Sequence, residues 1–475
     1  GDYYYLNSLV KRVPVGQEVK ARNHQEDILL VGSTSRCQLK HQNKAYGYCS
    51  QNAGINSDVV MIVHLNFTTH AVTLLSVPRD TFVPNARTTG ANKIDAALYD
   101  GPTQLVSVLR NDFGVPVTHF VELNFDSFAS VVDAIGGIDM YFPMEIFDAE
   151  SGLNIRVTGC HHLDGYHALQ VVRARHLQIK MGGATFSHST WPQEGLSDLA
   201  RIRRDHEFLR VLGAAVKAKG LGNPLVDQSL ASAVAHNLTV DSSFSLGEML
   251  NLASTFHSVS VAGVPQLTVP VVLVELGSYL YQGYYYGDVE FPLQPADATV
   301  VDQFLQLSRS DNTLTGKALP APSTISVTVR DGSNEPPRSA SVLHGLSRAG
   351  FRATAAAAVA PVGKREETIV YHASNSAASI GDAEAVLHEL SGPAVMAIGP
   401  TTGGADVTVV TGSDVVTPAT APATTTTTAT ARTTSTTHSS SALQRDHAFS
   451  APTAATQALE PWDPRSCGPH GTEGP

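Results

Sequence analysis

Arginine and aspartate side chains follow directly after an apolar stretch, and these are the first residues of the sequence whose types could do chemistry. Arg79 and Asp80 come just after the predicted strand 71–77, and Asp58 begins the predicted strand before it. An arginine held at a strand end offers a planar fork of donors that suits a phosphate or a carboxylate. A nearby aspartate can hold a divalent cation that shares the oxygens of that phosphate. The pattern indicates an anion site; the alternative is a structural Arg–Asp ion pair that caps a buried strand.

A second group of arginines strengthens the prediction of an anion site. Arg173 and Arg175 are two residues apart, so in an extended chain we expect their side chains to share one face. Arg201 and Arg204 are three apart on the predicted helix 197–219, which places them on one side of it. A solvated positive face is the alternative, but arginines clustered beside apolar strands favour an anion site. The basic set is Arg79, Lys93, Arg173, Arg175, Arg201, Arg203 and Arg204.

Other kinds of site have little local support in the sequence. There is no Gly-rich Walker loop, no dinucleotide fingerprint and no nucleophile-elbow serine, which argues against ATP, dinucleotide and α/β-hydrolase chemistry. Residues 160–167 gather cysteine and histidine side chains that could suggest zinc. Their spacing fits no standard tetrahedral site, so a polar turn before a helix is the preferred interpretation.

The composition narrows the class of protein. A formal charge of −11 and a pI near 5.9 argue against a general binder of nucleic acid or anionic membranes. No run of about 18 apolar residues is present, so we expect no membrane span within the sequence. Charged residues make up 16% of the chain, which is compatible with an exported protein. Because the sequence starts without Met, we expect that a leader or anchor preceded it.

The pairing of the four cysteines indicates the cellular compartment of the protein. Cys37 and Cys49 flank a polar loop, and a disulfide between them is favoured over free thiols in a cytosolic protein. Cys160 has no evident local partner, and Cys467 lies in a tail that we expect to be disordered. A disulfide would place the chain outside the cytoplasm.

Residues 1–308 alternate apolar strands with helical patterns, which predicts an α/β domain. A glycine pair, Gly136 and Gly137, is expected to end the second of its helices. The predicted strands are 27–32, 58–65, 71–77, 119–124 and 137–142, and the predicted helices are 101–113, 125–135, 164–170 and 197–219.

The rest of the chain differs in composition. A linker at 309–324 is predicted to lead into a second, compact α/β domain at 325–414, built as strand–helix–strand twice over and large enough to fold alone. Residues 415–475 are rich in Thr, Ala and Pro, with 12 Thr between 417 and 437. Such a tail is predicted to be disordered, either as a cell-surface spacer or as a plain unstructured terminus.

Taken in order, the motifs of the first domain resemble the LytR-CpsA-Psr family over most of residues 25–220. They are DILLVG at 27–32, SD at 57–58, SVPRDT at 76–81, NKI at 92–94, VDAIGGID at 132–139, LDGYHAL at 163–169, VRAR at 172–175 and DLARIRR at 198–204. The unit at 325–414 resembles the C-terminal domain that accompanies this family in actinobacteria. The resemblance implies a central mixed sheet flanked by helices.

The resemblance also implies a function. Such proteins move a glycopolymer from a polyprenyl-pyrophosphate carrier to a peptidoglycan hydroxyl, and they show pyrophosphatase activity when water replaces the acceptor. An arabinogalactan-like donor is favoured here, with Mg²⁺ as cofactor, no nucleic-acid partner and an extracytoplasmic location behind an N-terminal membrane anchor. The alternatives are a non-catalytic envelope protein that binds polyprenyl-phosphate lipids or wall glycans, and a secreted pyrophosphatase without ligase activity.

Residue roles are carried over from the motifs. The lipid is expected to need an apolar tunnel between the sheet and the helices, because each exposed methylene would cost about 0.8 kcal/mol. The implied catalytic residues are Arg79, Asp80, Arg173 and Arg175, the implied substrate-binding residues are Arg36, Lys93, Arg201 and Arg204, and the implied metal ligand is Asp58.

The sequence also departs from the family pattern. Asn56 stands where many relatives have an arginine, and Thr34 stands where they often have a carboxylate, with no Asp or Glu between 28 and 57 to replace it. On the long helix, Asp205 and His206 stand where relatives carry two glutamines. Metal dependence or donor choice is therefore expected to differ. An insertion at 177–195 is expected to form a lid or an acceptor surface.

Overall fold

The computed structural model describes residues 2–22, 24–37, 39, 47–51, 54–195, 197–218, 228–274, 279–333, 338–359, 366–415 and 458–472. Its helices are α1 (Asp2–Leu9), α2 (Pro102–Phe113), α3 (Phe125–Ala134), α4 (Gly165–Arg173), α5 (Ser197–Ala218), α6 (Gln228–Asn237), α7 (Leu246–Phe256), α8 (Ala296–Leu305), α9 (Ser339–Arg348) and α10 (Ala377–Leu387). Its first strands are β1 (Lys11–Val13), β2 (Gln25–Ser33), β3 (Ser57–Asn66), β4 (Ala71–Ser76), β5 (Phe82–Arg87), β6 (Gly90–Lys93), β7 (His119–Leu123), β8 (Ile138–Phe142), β9 (Ile146–Asp148), β10 (Leu153–Ile155), β11 (Gly159–Leu163) and β12 (Gln178–Ile179). The later strands are β13 (Thr239–Asp241), β14 (Gln266–Thr268), β15 (Val271–Leu273), β16 (Leu280–Tyr281), β17 (Tyr284–Tyr285), β18 (Glu290–Gln294), β19 (Ser326–Asp331), β20 (Arg352–Ala355), β21 (Thr368–His372), β22 (Gly392–Ile398), β23 (Val407–Thr411) and β24 (Arg465–Ser466).

A seven-stranded mixed sheet in the order β1-β13-β7-β2-β3-β4-β14 forms the centre of the first unit. β3 runs antiparallel to both β2 and β4, whereas β7 runs parallel to β2. Neighbouring side chains point to opposite faces of a strand. Leu29 therefore joins the core that α2 covers, whereas Leu30 faces a cavity beneath α3, α4 and α5. The predicted α/β fold with a central mixed sheet flanked by helices is confirmed.

The predicted elements of the first unit are present within a few residues of their expected bounds. α3 begins after Asn124, whose side chain accepts a hydrogen bond from Ser127 N. It is followed by Gly136 at φ 81° and Gly137 at φ 77°, so the predicted glycine ending is confirmed. The predicted strand at 137–142 forms, but it lies in a separate sheet of order β11-β8-β24.

The second sheet crosses the predicted domain boundary. Its order is β15-β18-β22-β21-β23-β19-β20, so two strands from before residue 308 extend the sheet of the C-terminal unit. Leu293 on β18 pairs with Pro393 on β22. Within the predicted linker, Leu314 is buried and Asn312 Nδ2 donates to Ala377 O at 2.8 Å. The strand and helix order at 325–414 is confirmed, and the segment 309–324 packs against this unit; the bounds of the two domains stay a prediction.

The C-terminal segment 458–472 corrects the prediction of a wholly disordered tail. Its strand β24 pairs with β8, and Cys467 forms a disulfide with Cys160. The predicted Cys37–Cys49 disulfide is confirmed. The Thr-rich stretch 417–437 lies outside the described residues. None of the described helices is both long and apolar enough to cross a membrane.

Candidate active site

Arg79 and Asp58 meet at one edge of the central sheet. Because β3 and β4 are antiparallel, the start of β3 lies beside the end of β4. The Arg79 guanidinium pairs with the Asp58 carboxylate, and its Nη2 lies 3.4 Å from Asp95 Oδ2. Its backbone N donates to Asp198 Oδ2 at 3.1 Å. Burial opposes the charge on Arg79, but the surrounding carboxylates outweigh that effect and raise its pKa.

Asp80 links three of the predicted basic residues. Lys93 Nζ lies 2.8 Å from Asp80 Oδ1, and Arg175 Nη2 lies 3.0 Å from Asp80 Oδ2. The β5–β6 hairpin brings Lys93 there, since Phe82 and Lys93 are paired. Arg79 Nε is 3.8 Å from Asp80 Oδ1. Burial would raise the pKa of Asp80, but Arg79, Lys93 and Arg175 hold it below its usual range.

Arg201 on α5 completes this group. Its Nη2 lies 2.8 Å from Asp198 Oδ1, one helical turn earlier, and it also donates to the backbone carbonyl of Asp58. The structure therefore brings six predicted residues together. Asp95 and Asp198 lie beside these six. We call all eight residues the Arg–Asp cluster: Asp58, Arg79, Asp80, Lys93, Asp95, Arg175, Asp198 and Arg201.

Arg173 lies apart from Arg175. α4 continues through Arg173, so the chain there is helical and the two side chains do not share a face, contrary to the prediction. The guanidinium carbon of Arg173 sits 4.6 Å from the ring centroid of Phe125. It lines the same cavity as Arg201, which keeps it near the cluster.

Arg204 is directed away from the cluster, which corrects its predicted role in substrate binding. It is 1% exposed; its Nη1 lies 2.5 Å from Glu194 Oε2, and its Nη2 donates to Ala174 O at 2.8 Å. Asp463 of the C-terminal segment also faces it, at 3.5 Å. A guanidinium enclosed by these partners has no surface for a substrate.

Two further predicted features, Arg36 and the insertion at 177–195, make contacts of their own. Arg36 Nε lies 2.9 Å from where a Cβ on Gly47 would stand, and Gly47 belongs to the loop that the Cys37–Cys49 disulfide closes. Its substrate-binding role stays a prediction. The insertion packs through β12 on β9, and Trp191 within it is buried. Its predicted use as a lid or acceptor surface stays a prediction as well.

Several acids of the site were missed from the sequence. Asp95 and Asp198 sit within or beside quoted motifs, but nothing in the motifs shows that they face Arg79. Glu290 is a single acid between apolar neighbours on β18, and its backbone N donates to Asp80 O at 3.0 Å. Burial raises the pKa of Glu290 well above its usual value, and it raises the pKa of Asp95 to about 6 and that of Asp205 to about 7. Acids with raised pKa values oppose an incoming anion less than ordinary carboxylates do.

An apolar cavity opens beside the cluster. It lies between the central sheet and helices α3, α4 and α5 and encloses about 1040 Å³, including solvent at its mouth. Met61 and Phe128 are typical of its walls, and its polar lining comes from Asp58, Arg173, Arg201 and Asp205 among others. The apolar space predicted between the sheet and the helices is therefore present.

The donor set of the site fits Mg²⁺ better than zinc. Among the described residues no group of three or more His, Cys, Asp and Glu side chains forms a metal site. Cys160 is tied to Cys467, so it offers no thiolate, and His162 Nδ1 is 2.8 Å from Asp139 Oδ1. Asp58 offers carboxylate oxygens beside the cavity, and Mg²⁺ commonly takes only one or two carboxylates with waters and substrate phosphates.

Comparison with known proteins identifies the family of the chain. The model of the LytR_cpsA_psr family matches residues 7–292, and that of the LytR cell envelope-related transcriptional attenuator domain matches residues 324–414. Since the first match covers more than half of the sequence, the chain belongs to the LytR_cpsA_psr family.

Among its relatives is the probable cell wall biosynthesis protein LcpB of Corynebacterium glutamicum, 30% identical over 246 residues, which are 51% of this chain and 54% of LcpB. The polyisoprenyl-teichoic acid–peptidoglycan teichoic acid transferase TagU of Bacillus anthracis is 28% identical over 162 residues, 34% of this chain and 48% of TagU. The chain spans about half the length of these relatives. A solved LytR-Csp2A-Psr enzyme from Actinomyces oris is 25% identical, with a TM-score of 0.45 over 55% of this chain and 88% of that one.

Proposed function

We propose that this protein is a phosphotransferase that moves a glycopolymer from a polyprenyl-pyrophosphate carrier to a hydroxyl of peptidoglycan. The observation that supports this most is the apolar cavity whose polar lining includes Arg173 and Arg201, beside the Arg–Asp cluster. A ligand with a long hydrocarbon chain joined to a pyrophosphate matches both parts of the site. Its chain would fit the apolar cavity, and its pyrophosphate would fit the basic residues beside it. We infer an arabinogalactan-like donor, as the resemblance suggests.

Binding follows from the two halves of the site. Each methylene of the lipid that enters the cavity contributes about 0.8 kcal/mol. The pyrophosphate would then lie against Arg79, with Arg173 and Arg201 reaching it from the cavity wall. Asp80 holds Lys93 and Arg175 in place before the anion arrives, so little reorganisation is needed.

The chemistry is transfer of a glycan phosphate. The acceptor hydroxyl forms a P–O bond at the phosphorus next to the sugar and releases its proton, while the bond to the lipid phosphate breaks and that phosphate leaves with the electron pair. Arg79 and Arg175 would stabilise the negative charge that spreads over the phosphate oxygens. Mg²⁺, held by Asp58, would supply further neutralisation of the leaving phosphate. Water in place of the sugar hydroxyl would give the pyrophosphatase side reaction.

The proposed location is the extracytoplasmic cell envelope, behind an N-terminal membrane anchor. Two disulfides support a compartment outside the cytoplasm. The names of LcpB and TagU, for cell wall biosynthesis and teichoic acid transfer, support glycan and peptidoglycan partners.

A non-catalytic envelope protein that binds polyprenyl-phosphate lipids is the second candidate. Thr34 and Asn56 favour it, because a carboxylate and an arginine that relatives often carry are absent at these positions. The Thr34 hydroxyl instead accepts a hydrogen bond from the backbone N of Asn56 at 2.9 Å.

Phosphate release from geranyl pyrophosphate and from a polyprenyl pyrophosphate separates these candidates. We expect Mg²⁺-supported turnover by the full chain and a loss of about a hundredfold or more in Arg79→Ala, the size expected when one donor to a developing charge is removed. Arg352→Ala is the matched control, since that side chain is 62% exposed and lies in the C-terminal unit. Tight lipid binding without turnover would favour the binding protein.

A further inference from the structure

Asp205 on α5 is a buried acid for which the motifs give no role. It is 6% exposed, and within the part of the chain that the structure describes its Oδ1 has no hydrogen-bond partner. Its Oδ2 lies 3.9 Å from Arg201 Nε, which is too long for a hydrogen bond. A buried carboxylate oxygen without a partner is destabilising, and a bound water or ion is one explanation for such an atom.

Asp205 faces the same space as Asp58. Both line the large apolar cavity, and both line a smaller cavity between α5 and strands β3 and β4. Arg201 reaches both acids, with Nη1 at 4.0 Å from Asp58 Oδ1 and Nε at 3.9 Å from Asp205 Oδ2. One guanidinium group spans only a few ångströms, so the two carboxylates lie at the same end of the cavity.

The charges of the region can accommodate a further cation. The Arg–Asp cluster holds four acids and four bases, and they balance one another. Asp205 is a further acid, and Arg201, which faces it, also pairs with Asp198 and faces Asp58. A divalent cation supplies two positive charges and thereby lets an anionic pyrophosphate approach.

We propose that Asp205 and Asp58 together hold a divalent cation of the Mg²⁺ or Mn²⁺ type. Both are carboxylates, the oxygen donors that such hard cations prefer, and two of them leave room for waters and phosphate oxygens. The inference deepens the proposed function and rests on it, because the task of the cation is to neutralise the lipid pyrophosphate.

This arrangement also explains how the chain manages without a carboxylate at position 34. Thr34 carries a hydroxyl that accepts a hydrogen bond from Asn56 N. Asp205 approaches the same cavity from α5, more than 140 residues away in sequence from Asp58. The second ligand therefore comes from the helix and not from the loop after β2.

Titration of Mn²⁺ into the full chain, followed by electron paramagnetic resonance without lipid, tests the inference. We expect saturable binding by the wild type and a dissociation constant at least tenfold higher in Asp205→Asn. Glu207→Gln is the matched control on the same helix, because Glu207 pairs with Arg210 and does not line the cavity. Its affinity is expected to stay within about twofold of the wild type. Unchanged affinity in Asp205→Asn, or no saturable binding by the wild type, would overturn the inference.

A double substitution guards against an indirect effect on folding. If both acids hold one ion, Asp205→Asn introduced into Asp58→Asn should change the affinity by less than about twofold. Additive losses would overturn the shared site.

The assay is also independent of the proposed function. Mn²⁺ binding through Asp58 and Asp205 without any turnover of lipid pyrophosphate would support the metal site and contradict the proposed enzymatic function. Turnover in the presence of chelator, without Mn²⁺ binding, would support the enzymatic function and contradict the metal site.

Discussion

The substitution Asp463→Asn is expected to destabilise the protein strongly, although it lies in the tail. Asp463 is fully buried, accepts from Arg203 Nε at 2.5 Å and lies 3.5 Å from Arg204 Nη1. Breaking a buried pair by removing one partner costs about 3–5 kcal/mol, because a charge is left uncompensated. Glu194 still faces both arginines in the variant, so we expect a loss at the lower end, about 3 kcal/mol.

Denaturant unfolding followed by tryptophan fluorescence suits this test. The chain contains two tryptophans, and both lie near the ion pairs. Trp462 Nε1 donates to Glu194 Oε1 at 2.8 Å, and Trp191 is buried in the insertion. Glu150→Gln is the control, since that side chain is 71% exposed and should change the stability by no more than about 0.5 kcal/mol. A loss below about 1 kcal/mol in Asp463→Asn would refute the docking of segment 458–472 through these ion pairs.

Three further outcomes are expected. Replacing Cys160 and Cys467 together by serine should lower the free energy of unfolding by about 2–5 kcal/mol, because the bond joins residues 307 apart; equal denaturation midpoints with and without the bond would contradict this. Leu209→Trp should fill the apolar cavity and raise the KM for a long polyprenyl pyrophosphate while leaving that for geranyl pyrophosphate nearly unchanged, and equal changes in both would argue against a lipid in this cavity. Burial raises the pKa of Glu384 to about 8, so the folded chain holds this proton more tightly than the unfolded chain, and the resulting stability is present below about pH 4.5 and is lost as the pH rises towards 8. Glu384→Gln, which imitates the protonated acid, should flatten the dependence of Tm on pH over that window, and parallel curves for the two proteins would contradict the assignment.

The sequence predicted the part of the site that is formed by strands adjacent to each other along the chain. The apolar runs around Asp58 and Arg79 predict two neighbouring strands, and an antiparallel pair places these two residues at one edge. Lys93 follows by a short hairpin from Asp80. These contacts need only short-range information, which the sequence carries in the spacing of its apolar residues.

Other features depend on contacts between distant segments. α4 runs through Arg173, so the side chain turns towards Phe125, and the spacing alone could not show where the helix stops. Arg204 turns to Glu194 and Asp463 because a tail segment docks there. The composition of residues 415–475 gave no sign of that docking, since the Thr-rich stretch dominates it.

The same limit applies to the acids of the site and to the second sheet. Glu290 reaches the cluster region from β18, and a single acid between apolar neighbours gives no indication of its partner. Asp205, by contrast, stands out in the sequence as a departure from the family motif. β18 also pairs with β22 of the C-terminal unit, across the predicted linker. Pairing between distant strands leaves no local signal in either segment.

Transfer of a labelled glycan from its polyprenyl-pyrophosphate carrier to peptidoglycan tests the central claim most directly. We predict that the full chain with Mg²⁺ places the label in insoluble peptidoglycan through a phosphodiester bond, that Arg79→Ala abolishes this, and that Arg352→Ala does not. Lipid-linked glycan that binds to the purified protein but is neither transferred nor hydrolysed with any divalent cation would contradict the claim and identify a binding protein of the envelope.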